Sequence, residues 1–149
     1  MQTDIIATFF ARDLDKLADE IRAFPTEASL WQTAGTVKNS AGTLALHLIG
    51  NLNHFIGATL GGTGYVRQRD REFADRDVPR DRLLMGLAAT KELVVKVLGK
   101  IPDAQLAEPF PLDHFGAGKS YLHALLHLLA HLDYHLGQVN YLRRVLEQG

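Results

Sequence analysis

The chain has 149 residues, of which 46% are hydrophobic and 22% are charged, and its net charge is -1. This composition is typical of a globular protein and predicts one domain over residues 1–149, while the balanced charge argues against nucleic acid or an anionic membrane as a partner. The amino terminus lacks the features of a signal peptide, so we expect a cytoplasmic protein. Because there is no cysteine, any thiol chemistry needs an external thiol.

The first predicted helix extends from Asp4 to Phe24, where apolar residues recur every three or four positions. Pro25 ends it, because a proline disfavours helical geometry in the residue before it. The following segment, residues 25–40, contains turn-forming residues and the only tryptophan. We interpret it as a connection with room for one short helical turn, and Trp31 as a core residue.

A second helix is predicted from Leu44 to Leu60, again from the spacing of its apolar residues. Asn39 or Ser40 is the candidate cap, since both side chains accept hydrogen bonds from the first turn of a helix. The sequence "GGTG" then ends the helix. The polar stretch after it, "YVRQRDREFADRD", is expected to be solvent-exposed surface.

A third helix is predicted to open at Val78 and Pro79 and to close at Gly99 and Pro102. The loop that follows is proline-rich and long enough to form a lid or the mouth of a pocket. Ser120 is the candidate cap of a fourth helix that runs to about Leu146. With four long helices and no segment of alternating polarity, the sequence predicts an all-α four-helix bundle.

The chemistry-bearing residues are histidines on the second and fourth helices. His131 and His135 lie one helical turn apart, a spacing at which two imidazoles can bind one metal ion. His47, Asn51 and His54 share one face of the second helix, and a bundle can place that face opposite the pair. Thus His47, His131 and His135 are candidate metal ligands.

Hydrogen-bonded core packing without any metal remains an open alternative for these residues. For His54, His123 and His127 a structural role is favoured, while His114 in the proline-rich loop is a candidate to cover a pocket. The no-metal alternative predicts that replacing His131 changes stability and leaves the metal content unchanged.

Two segments carry a resemblance to a known family: "NSAGTLALHLIGNLNHFIGATLGGTGYVRQRDREF" and, far downstream, "HLLAHLDYHLGQVNYLR". In this order they resemble the DinB/YfiT-like superfamily of bacterial four-helix-bundle metalloenzymes, and the H-x-x-x-H-x-G-Q ending is the most specific part. The resemblance runs from the second helix to the end of the fourth. It is closest to a branch of small proteins of unknown function.

The resemblance implies that His47, His131 and His135 bind a divalent metal, most often nickel or zinc. It also implies a homodimer. Characterised relatives transfer bacillithiol, mycothiol or glutathione to electrophiles, or isomerise maleylpyruvate with mycothiol, which makes the expected substrate a small molecule and the expected cosubstrate a low-molecular-weight thiol. Asn51 stands where relatives often have a carboxylate, so the general base is undetermined.

We therefore expect S-transferase chemistry at a three-histidine site with an open coordination position. Gln138 is a candidate for orienting a ligand, and His54 for moving a proton; with Asn51 they are the candidate catalytic residues. Three arginines could hold an anionic part of a cosubstrate, although exposure to solvent is the favoured interpretation: Arg67, Arg69 and Arg71. The alternatives are a non-catalytic dimeric bundle that binds a metal or small ligand in stress response or sensing, and a metal-assisted hydrolase.

Overall fold

The computed structural model describes residues 1–147 of the chain, so the last two residues of the predicted domain, Gln148 and Gly149, lie outside it. The described part is helical, with a single isolated β-bridge between Pro109 and Ser120. The predicted all-α class is confirmed. The helices are α1 (Gln2–Ala23), α2 (Ala41–Leu52), α3 (Arg69–Ala74), α4 (Arg80–Leu98) and α5 (Tyr121–Glu147).

The start of α1 is fixed by a distant carboxylate. The backbone N–H groups of Gln2 and Thr3 donate to Asp103 at 2.9 and 3.1 Å. These are orphan donors of a first turn, and a carboxylate that accepts from them stabilises the helix. The helix therefore begins two residues before the predicted Asp4. It ends before Phe24, which is extended, with φ -61° and ψ 131°, as expected of a residue that precedes proline.

The cap of α2 is Ser40 rather than Asn39, since its Oγ accepts from the Thr43 N–H at 3.2 Å. The helix does not end at Leu52. It continues through a π-helical segment, Asn53–Ala58, and one last α-turn, Thr59–Gly61. The predicted extent is thus confirmed, whereas the wider π turn has no signature in the periodicity used to predict it.

The polar stretch at residues 65–77 differs from its predicted solvated surface. It forms the short helix α3, which packs on α2 and buries Glu72. Arg69 and Arg71 are exposed, as expected, but the prediction is wrong for Glu72 and for Arg67, whose side chain is only 12% exposed. The next helix, α4, begins at Arg80 because Pro79 is still extended.

The four longer helices pack around one hydrophobic core. α1 contacts α4 and α5, and α2 contacts the same two helices. The largest fully buried side chains come from several of them and include Phe10, Leu14, Leu48 and Leu87. Each contributes about 1.5–3 kcal/mol of hydrophobic free energy relative to an exposed side chain. Trp31 is the last residue of the predicted short turn, a 3₁₀ turn at Ala28–Trp31, and packs on this core while partly exposed.

α2 and α5 run antiparallel. His47 contacts His131, and Phe55, in the π-helical segment that continues α2, contacts Phe115, which in turn contacts His127. Within residues 1–147, no helix combines the length and the apolarity that crossing a membrane requires.

Candidate metal centre

Three histidines from two helices meet where α2 crosses α5. His47 is buried, and its Nε2 lies 3.1 Å from the Nε2 of His131. The Nε2 of His135 lies 3.0 Å from the same atom, and one donor atom from each of the three residues lies within 4.8 Å of the others. The structure therefore brings together all three predicted ligands, hereafter the three-histidine site.

The ring of His47 is held by a buried ion pair. Its Nδ1 lies 3.1 Å from Oε1 of Glu72, and Arg67 donates to both oxygens of that carboxylate at 2.9 and 3.0 Å. A carboxylate can only accept, so the proton of the neutral ring is on Nδ1 and the lone pair is on Nε2. Glu72 thereby aims the lone pair of His47 at the two histidines of α5.

Glu72 is seated against a glycine of α2. A Cβ atom built on Gly50 would overlap the Glu72 carboxylate. Glycine lowers helix stability by about 0.8–1.0 kcal/mol relative to alanine. The close packing of Glu72 against Gly50 explains why a glycine stands inside α2. Glu72 was not among the residues predicted from the sequence; the signal for it is a glycine three residues after His47, on the same face of the helix.

The other two rings differ in how they are held. Nδ1 of His135 lies 2.7 Å from Oε1 of Gln138, so the predicted orienting residue contacts a predicted ligand. The amide oxygen accepts, which again leaves the lone pair on Nε2. Nδ1 of His131 is buried and has no hydrogen-bond partner among residues 1–147. No described group therefore fixes the tautomer of His131.

Burial favours the neutral form of the His131 and His47 rings. It lowers the pKa of His131 to about 4, with a further contribution from the neighbouring His135 and His47. Burial also lowers the pKa of His47, and the Glu72 carboxylate offsets part of that effect. Neutral imidazoles are the form that binds metal ions.

The donor set fits a divalent cation. Because His47 and His135 carry their protons on Nδ1, their Nε2 atoms can only accept a hydrogen bond. His131 can donate at most one hydrogen from its Nε2, so at least one Nε2 lone pair has no donor. A zinc–nitrogen bond of about 2.0–2.1 Å places ligand nitrogens about 3.3 Å apart in a tetrahedron, close to the 3.0 and 3.1 Å found here. A cation among the three nitrogens would satisfy all of them.

Asn51 lies one turn after His47 on α2 and is buried, and its Oδ1 has no hydrogen-bond partner within residues 1–147. It is the second candidate catalytic residue near the three-histidine site, after Gln138. Arg67 donates from Nε and Nη2 to Glu72, and its role toward an anionic cosubstrate stays a prediction.

The remaining histidines lie elsewhere. His54 is about 10 Å along the helix axis from His47, since each residue rises about 1.5 Å, and its ring contacts Phe55 at 4.7 Å. The ring centroids of His114 and Phe55 lie 4.7 Å apart, and those of His127 and Phe115 lie 4.9 Å apart. We call His54, His114 and His127 the aromatic histidine group. His123 is exposed in the first turn of α5.

Residues 4–149 match a family model described as a protein of unknown function (DUF1572). No match to the chain was found among curated proteins. The match covers nearly the whole chain, including both helices that carry the three-histidine site. The chain therefore belongs to the DUF1572 family.

Proposed function

We propose that this protein is a divalent-metal-dependent enzyme of the DinB/YfiT-like kind, with thiol-dependent S-transferase chemistry at the three-histidine site. The proposal includes the four-helix-bundle architecture of that superfamily, a single domain, a cytoplasmic location and a homodimer. The all-helical fold, the sequence resemblance and the three histidines that could hold one metal ion support the proposal.

One observation carries the proposal. The Nε2 atoms of His47 and His135 both approach the Nε2 of His131, while Glu72 and Gln138 hold the Nδ1 atoms of the outer two rings. Fixing the far nitrogen of a histidine is how proteins orient metal ligands. In the proposal the three residues hold zinc or nickel, because imidazole suits both metals.

His47, His131 and His135 would hold the cation, whose charge would favour the deprotonated form of a thiol at neutral pH. Because histidine binds metal ions as the neutral imidazole, a three-histidine set would not compensate the charge of the cation. Glu72 retains the Nδ1 proton of His47 and keeps its ring in one orientation. The buried Oδ1 of Asn51, one turn further along α2, is available to accept a hydrogen bond from a group that enters the site.

Elemental analysis of the untagged, metal-loaded protein tests the site. We expect close to one zinc or nickel ion per chain in the parent and at most a tenth of that in His131→Ala. His127→Ala is the matched control, since it removes a histidine from the same helix one turn away and should retain the metal. Loss of metal in neither variant, or in both to the same extent, would contradict the proposed site.

The reaction is tested separately on the zinc-loaded protein with glutathione and the electrophile monobromobimane. We expect a rate of conjugation above the uncatalysed rate in the parent and none above it in His131→Ala. A parent that binds the metal but gives no acceleration with glutathione, or with a wider set of low-molecular-weight thiols, would contradict the transferase assignment and favour a metal-binding protein without catalysis.

A further inference from the structure

An open groove lies beside Gln138, the residue that contacts His135 of the three-histidine site. It has a volume of about 460 Å³ and lies between the connection at residues 34–39 and the second half of α5. Its walls are mostly apolar, and Leu44 of α2 also lines it. On the α5 side the walls are Tyr141, Leu142 and Val145. A volume within about 300–1,000 Å³ is that of sites for small molecules.

Few polar groups face the groove, and they sit at defined places. Lys38 is the only charged residue among those that line it, and it forms no ion pair with any residue in the described part of the chain. Gln138 lines the groove and also binds His135. Because its oxygen accepts from His135, its amide N–H groups remain free to donate.

We propose that this groove binds a small carboxylic acid with an apolar body. The carboxylate pairs with Lys38, and the body packs on Tyr141, Leu142 and Val145. Apolar walls with a few convergent polar groups and a single cation match an amphiphilic anion. Gln138 lies between this ligand and the outer nitrogen of His135, on the side of the ring away from the three Nε2 atoms. The proposed binding therefore does not depend on the proposed function.

The test is an NMR titration of the ¹⁵N-labelled protein with 4-phenylbutanoate and with its neutral analogue 4-phenylbutan-1-ol. We expect saturable shifts at the amides of Gln138, Tyr141 and Leu142. The acid should bind about two- to fivefold more tightly than the alcohol, which is the range of an exposed ion pair. Lys38→Gln should abolish that preference, and the matched control Lys16→Gln, on α1, should preserve it.

Three results would overturn the proposal. They are the absence of saturable shifts at these amides, equal affinity of the parent for acid and alcohol, and shifts at the same amides on simple dilution, which would show that a second copy of the chain fills the groove. Tyr141→Ala, at an exposed position, should weaken binding of both compounds without unfolding the protein; unchanged affinity for both would count against the groove.

The titration is run on EDTA-treated protein and on protein incubated with zinc, with the zinc content of each sample measured. Binding in both samples, when neither retains zinc, would uphold the groove while the proposed metal-dependent function fails. Zinc retention without any binding of 4-phenylbutanoate would contradict the proposed groove and leave the proposed metal-dependent function in place.

Discussion

The three-histidine site joins α2 to α5, whereas the aromatic histidine group joins the π-helical continuation of α2 (His54), the loop between α4 and α5 (His114) and α5 (His127). The two groups use their rings differently. In the site, the far nitrogens of His47 and His135 are held by Glu72 and Gln138, and the near nitrogens face His131. In the aromatic group, each ring contacts a phenylalanine at 4.7–4.9 Å.

The difference lies in the polar partners. Within residues 1–147, no side-chain hydrogen bond fixes a ring nitrogen of the aromatic group, whereas the site recruits a buried carboxylate from α3 for this purpose. His54 and His127 lie on helical segments, as His47, His131 and His135 do, so a helical position alone does not separate the two groups. The three-histidine site is therefore distinguished by the groups that bind the Nδ1 atoms of its rings. Variants that remove or preserve these groups test the distinction.

The largest effect is expected from Gly50→Ala. The new methyl group would occupy the space of the Glu72 carboxylate and displace it from His47. We expect a loss of about 1–3 kcal/mol in the free energy of unfolding of the metal-free protein, as for other overpacked sites. Zinc affinity should fall as well. Urea unfolding and a zinc-indicator competition measure the two effects, and a variant that matches the parent in both would refute the role of this glycine.

Glu72→Gln is expected to have the next largest effect. It keeps an acceptor for His47 but removes the negative charge that Arg67 pairs with. Mutation of such a partner of a metal ligand weakens metal binding by about 10–100-fold. The zinc Kd from indicator competition measures this, and Glu147→Gln, which alters an ion pair at the end of α5, is the matched control. Equal Kd values for the parent and Glu72→Gln would show that the carboxylate does not support the site.

The long helices were predictable because each buries one face, so that apolar residues recur every three or four positions. The same helical spacing places His47 and Asn51 on one face of α2, and His131 and His135 on one face of α5. The boundaries that shifted depend on distant contacts: α1 begins early because of Asp103, a residue about 100 positions away.

The Glu72–Arg67 pair could not be found in this way. Residues 65–77 have no apolar period, and a buried glutamate in such a stretch has the same local sequence as an exposed one. Its burial depends on α3 docking against Gly50, which is a tertiary contact between segments about 20 residues apart. The groove beside Gln138 was hidden for the same reason, since its walls come from a connection and a helix far apart in the chain.

A smaller effect of opposite sign is expected from Gly137→Ala. Gly137 lies in α5 next to Gln138, and a Cβ atom there meets no other atom within 4 Å. Alanine should therefore raise the free energy of unfolding by about 0.5–1 kcal/mol through helix propensity alone and leave the zinc Kd unchanged. The same urea and indicator measurements apply. Destabilisation would mean that glycine itself is required near the site, and it would weaken the explanation given for Gly50.

The smallest effect concerns the aromatic group and its response to pH. Burial lowers the pKa of His54 below its ordinary value of 6.5, and the positive charge of Arg67 lowers it further. Above pH 6.5 the ring is neutral in both the folded and the unfolded chain, so its full contribution to stability is present. As the pH falls below 6.5, the unfolded chain binds a proton that the folded chain does not, and stability decreases.

In His54→Gln this part of the pH dependence should disappear. The free energy of unfolding of the EDTA-treated variant should fall less between pH 7.5 and 5 than that of the parent, by a small amount because His54 is partly exposed. The difference between the two slopes is the relevant quantity, because the other histidines contribute equally to both proteins. An identical slope would mean that the ring of His54 titrates as it does in the unfolded chain and that its contact with Phe55 does not depend on its charge.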